Sequence, residues 1–140
     1  MTAPGEPDPI VVLNSVLSEV IDVVSDVKQA DRKVPATHAL HAELDQLLDD
    51  LRSWVRLLGE RDDALGVSPL TFMPSVAGRT PSSLWREATN DDDVRRIVGE
   101  HLERLGAHVA AALADRNDDT TQAALADVER GVQAHLRALA

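Results

Sequence analysis

The chain has 140 residues, 24 acidic against 14 basic side chains, a formal charge of −10 and a sequence pI near 4.8. That length is one domain with room for a real core, and the charge sets the average field against nucleic acid and anionic lipid. The absence of cysteine excludes disulfides, thiolate metal sites and cysteine nucleophiles. Only Trp54, Phe72 and Trp85 are aromatic, so the core has to be built from Leu, Val, Ile and Ala. No apolar run approaches the ~20 residues of a membrane span, and the start carries no positively charged n-region, so a soluble cytoplasmic protein is expected.

Pro4, Pro7 and Pro9 mark residues 1–9 as a mobile tail, which leaves 10–140 as the folded domain. Ile10, Leu13, Leu17, Val20, Val24 and Val27 then recur at alternating steps of three and four. Valine favours strands, but this period predicts a helix. Pro35 interrupts it, and Thr37 is the expected cap of the second helix. That helix is striped by Leu40, Leu44, Leu47, Leu51, Val55 and Leu58 and ends near Gly66. Residues 67–89 lack a long periodic run and form a long connection, with space for a short helix at 82–88.

Asn90 is the predicted N-cap of the third helix, and Asp91, Asp92 and Asp93 occupy the first turn, where the helix dipole favours anions. Val94, Val98, Leu102, Leu105, Val109 and Leu113 form its apolar stripe. After a break at 115–121, Leu125, Val128, Val132, Leu136 and Leu139 stripe the last helix. Two helices, a long crossover and two more helices predict an all-α, ferritin-like four-helix bundle. Val11, Val12, Val16 and Val23 lie beside the first stripe, which predicts apolar surface left over for assembly.

Chemistry concentrates at "HALHAELD", 38–45, where His38, His41 and Asp45 fall on one side of a helix. Neutral imidazole with carboxylate suits iron, manganese or zinc. His101, His108 and His135 are expected to border the core instead. No G-x-G-x-x-G, P-loop or G-x-S-x-G pattern occurs, so nucleotide binding and acyl transfer have no support.

Three pieces in order carry a family resemblance: "KQADRKV" at 28–34, "LHAELD" at 40–45, and "ERDDALG" at 60–66, which begins fifteen residues after Asp45. They resemble the Dps family (DNA protection during starvation, the mini-ferritins), and the first and last helices are similar to its helices in pattern. The resemblance implies a four-helix subunit of a hollow dodecamer. It also implies a site shared across a two-fold interface, where ferrous iron is oxidised by peroxide before ferric mineral is stored. His41, Asp45 and Glu60 match its ligand positions. Asp31 stands where its first-helix histidine would be, and His38, one turn before His41, is an additional candidate ligand. Asp118 and Asp119 resemble the acidic stretch lining the pores through which iron enters.

Two departures bear on activity. Asp31 remains a competent hard ligand, but Arg56 stands where a second acid is common, and a guanidinium cannot be deprotonated. The expectation is iron uptake and peroxide protection with a weakened ferroxidase. The alternatives are a structural cage without that activity, or a helical bundle that binds a protein partner. Direct DNA binding is not expected. The tail has no basic residue, the only lysines are Lys28 and Lys33, and the adjacent pair Arg95 and Arg96 follows three aspartates.

Overall fold

The computed structural model describes residues 8–66, 88–115 and 117–140. They form four helices: α1 (Pro9–Lys33), α2 (Ala39–Ala64), α3 (Asp91–Ala114) and α4 (Asp119–Leu139), and no strand occurs among the described residues. Of the short helix expected at 82–88, all but Ala88 lies outside the described residues.

Capping explains the starts. Helix α1 takes in Pro9, which the sequence reading leaves in the tail. Proline at a first position has no N–H to lose, and Asp8 accepts from the Ile10 amide at 2.9 Å. Asn90 accepts from the Asp93 amide at 2.9 Å, as expected. The expected Thr37 cap is displaced by one residue. The His38 amide donates to Pro35 O at 2.9 Å, which closes a turn and makes His38 the first residue of the helical ladder, with no side-chain cap bond.

Polar ties across the bundle give the helix directions. Glu43 pairs with Arg95 at 2.8 Å and His38 with Asp91 at 2.9 Å, so α2 and α3 start side by side and run in parallel. Asp26 meets His101 and Glu19 meets His108, which sets α1 antiparallel to α3. Asp50 meets His135 and Arg61 meets Asp118, which sets α2 antiparallel to α4. Helix α2 spans about 39 Å, so parallel α2 and α3 require a crossover of that length. This is the ferritin-like connectivity. His101, His108 and His135 thus face carboxylates on neighbouring helices at the edge of the core.

The core is aliphatic apart from Trp54, and each fully buried Leu or Val contributes roughly 1.5–3 kcal/mol by leaving water. Helix α1 buries a wider face than one stripe, because it packs against both α2 and α3. Val16 and Val23, expected beside the stripe, are in the core at 0% and 4% exposure, whereas Val24 is only partly buried. Val11 is the one large apolar side chain exposed among the described residues. The apolar surface expected from these valines is therefore mostly used within the chain. Between α2 and α4, the Trp54 indole lies on the backbone of Gly131, where an added Cβ would come within 2.2 Å of the ring. Gly131→Ala is expected to cost about 1–3 kcal/mol, read as a lower melting temperature.

Asp62, His101 and Thr121 are the buried polar residues among those described, and Asp62 is the one acid among them. It continues the α2 stripe one turn after Leu58, is fully buried, and neither carboxylate oxygen has a hydrogen-bond partner. Burial, with repulsion from Asp63 added, pushes its pKa up to about 6. The folded state therefore favours the protonated acid. The penalty is absent below the ordinary carboxylate range, grows as pH rises towards about 6 and is complete above it, at roughly 3 kcal/mol. Asp62→Asn, neutral at every pH, should melt higher than the unaltered protein at about pH 8 and match it near pH 4.

Candidate metal centre

The last turn of α1 and the first turns of α2 meet beside the turn at 34–38, and three ligand-bearing side chains converge there. His41 Nδ1 lies 3.0 Å from Asp31 Oδ1, and His41 Nε2 lies 3.4 Å from Asp45 Oδ2. One ligand atom from each of the three falls within 4.8 Å of both others. Two donors held at about 2.1 Å by one ion sit roughly 3–3.5 Å apart, so the spacing of His41 Nε2 and Asp45 Oδ2 suits a shared cation, with Asp31 close enough to join them. The set is graded in exposure: Asp31 and His41 are largely covered, while Asp45 is open to solvent.

The electrostatics point the same way. Burial raises the Asp31 pKa, and a hydrogen bond and charge repulsion with Asp45 raise it further, while His41 lowers it. Two carboxylates that share a proton disfavour being charged together. A divalent cation in place of that proton relieves the repulsion. His41 Nδ1 lies 3.2 Å from the Val34 carbonyl oxygen, within hydrogen-bond reach. Asp31 Oδ1, although close to Nδ1, is buried without an aligned hydrogen bond.

This fold and this cluster can be set beside known proteins. No family model and no curated protein matches the sequence. Among solved structures, a Dps from Microbacterium arborescens in its high-iron form is similar, with a TM-score of 0.78 over 96% of this chain and 94% of that one, at 21% identity. The chain has the fold of a Dps subunit.

The remaining site residues lie elsewhere. His38 is turned to Asp91 and is not part of the cluster. Glu60 is exposed, fifteen residues beyond Asp45 and so about 22 Å further along α2. Within one chain it does not reach the cluster. Arg56 is exposed as well, and no ion pair joins it to Glu60 among the described residues. Asp118 serves α4: it accepts from the Thr121 amide at 2.7 Å and hydroxyl at 3.0 Å, and pairs with Arg61 at 3.3 Å. These contacts, the Thr121 amide foremost, hold its carboxyl below the usual range. Asp119 is exposed in the first turn of α4. Sequence reasoning missed Arg61, which also donates to the Thr121 hydroxyl and ties the end of α2 to the start of α4. It also missed the Val34 carbonyl, since a backbone acceptor leaves no side-chain motif; only the proline after it gave a signal.

Calorimetric titration of the metal-free protein with Zn(II) should give binding that His41→Ala abolishes and Asp31→Asn weakens at least about tenfold. Equal affinity in all three proteins would dismiss the cluster as a metal site.

Proposed function

We propose that this chain is the subunit of a Dps-like mini-ferritin cage that takes up ferrous iron at Asp31, His41 and Asp45, with Glu60 of a second copy closing the site. The convergence of the three side chains at the α1–α2 hairpin, in a Dps fold, carries this reading. The distance of Glu60 from the cluster in its own chain supports a site shared between copies. Iron is the substrate here: hydrogen peroxide takes one electron from each of two ferrous ions and is reduced to water, and the ferric product is stored. The part played by this chain is to hold the ferrous ions on hard oxygen and imidazole donors.

Arg56 limits the rate. It lies one turn before Glu60 on the same exposed face of α2 and brings a fixed positive charge to a site for cations. Slow ferroxidase activity follows, with cytoplasmic peroxide protection through iron removal. Arg56, exposed and without an ion pair among the described residues, also favours a second reading, a structural cage of the same shape without oxidation. With −10 on every chain, the cage would not bind DNA directly.

Ferric absorbance after peroxide addition tests the reading. Arg56→Asp combined with Asp31→His should oxidise iron faster than the unaltered protein. Rapid oxidation by the unaltered protein, slowed by the double change, would overturn the role given to Arg56. Light scattering should show a dodecamer, and a stable species at the 15.1 kDa of one chain would remove the cage.

A further inference from the structure

We infer that Pro35 selects the metal-binding nitrogen of His41, by holding Val34 extended so that its carbonyl takes the Nδ1 proton and leaves Nε2 as the ligand. This rests on the reading of Asp31, His41 and Asp45 as a metal site, and it adds a positioning residue that carries no ligand itself.

The chain of causes begins at the proline ring. Its steric demand disfavours the helical conformation for the residue before it, and Val34 has φ −101° and ψ 123°. The Val34 amide still belongs to the helix end, donating to Asp31 O at 3.3 Å, and its side chain is buried at 4% exposure. The residue is thus anchored on both sides of its carbonyl: core packing and the last helical bond hold one, and Pro35 holds the other. In a continued helix that carbonyl would point along the axis of α1. In the extended conformation it turns out of the helix towards α2, where His41 Nδ1 lies 3.2 Å away. The Pro35 carbonyl accepts from His38, and the His38 carbonyl accepts from the His41 amide at 3.0 Å, so the same short turn fixes where the imidazole stands.

The chemistry follows from what a carbonyl can do. It accepts and never donates, so Nδ1 must carry the proton of the neutral ring. The other group beside Nδ1 is Asp31 Oδ1, also an acceptor. Nε2 then presents a lone pair to Asp45 Oδ2 across 3.4 Å. Two acceptors facing each other at that distance repel unless a cation stands between them. Without the carbonyl, Nε2 could hold the proton and donate it to Asp45, and one internal hydrogen bond would close the site to metal.

The test reads the tautomer directly, in metal-free protein labelled with 15N-histidine, at about pH 8.5 where imidazole is ordinarily uncharged. His41 signals are assigned by their loss in His41→Gln. The unaltered protein should show the Nδ1–H form at His41. Pro35→Ala should shift His41 towards the Nε2–H form and weaken Co(II) binding about tenfold or more, with the helix signal in circular dichroism retained. Asp31→Ala, which removes the competing acceptor beside Nδ1, should keep the Nδ1–H form, so the Val34 carbonyl remains testable as the acceptor even if Pro35→Ala does not fold. An Nε2–H form in the unaltered protein, an unchanged tautomer in folded Pro35→Ala, or a switch in Asp31→Ala would each overturn the inference. Failure of the unaltered protein to bind Co(II), with the tautomer still dependent on Pro35, would remove the metal reading and leave the orientation of His41 standing.

Discussion

The register between α1 and α2 is set by the turn at 34–38, and most of the molecule follows from it. A connection this short leaves little freedom in how one helix lies along the other. It places Asp31, near the end of α1, opposite His41, in the first turn of α2. The same register sends Leu13, Leu17 and Val20 from one side and Leu51, Leu47 and Leu44 from the other into a common interior. Helices α3 and α4 then cover that interior, each held by polar ties to the helix it faces. Functional geometry and core packing therefore share one origin.

The bundle was legible in the sequence because aliphatic periodicity is a direct record of which side faces inward. What it recorded less well was the width of that side. A helix flanked by two partners buries two adjoining rows, and Val16 and Val23 belong to the second row. Asp62 was not legible, since one acid does not disturb the period and only packing reveals that it has no escape to water. Asp31, His41 and Asp45 could be named from spacing and resemblance, but the hairpin that unites them is a matter of register. For Glu60, straight helix geometry decides: the same α2 that carries His41 and Asp45 carries it out of their reach.

Electrostatics in this chain are managed with few cations. Arg61 and Arg95 each bridge two helices, and all five histidines face carboxylates on another helix. An imidazole can tie helices without a permanent positive charge, which leaves the acidic surplus of the sequence unneutralised. That surplus produces crowding where an aspartate is covered, at Asp31 beside Asp45 and at Asp62 beside Asp63, and there repulsion adds to the effect of burial.

The approach of Trp54 to Gly131 bears on how uniquely the last helix can dock. A bundle built from repeated Leu and Val stripes tolerates sliding by a turn, because one apolar row resembles the next. Along α4, the positions a turn from Gly131 are Asp127 and Val128 on one side and Ala134 and His135 on the other, and each carries the Cβ that this contact excludes. His135 instead stands edge-on to the same ring, at 6.2 Å between centroids. A slip of one turn in either direction would drive at least a Cβ into Trp54. The glycine acts as a single notch, and the indole as the tooth that fits it, so that α4 has one seat on α2 where the stripes alone would have offered several.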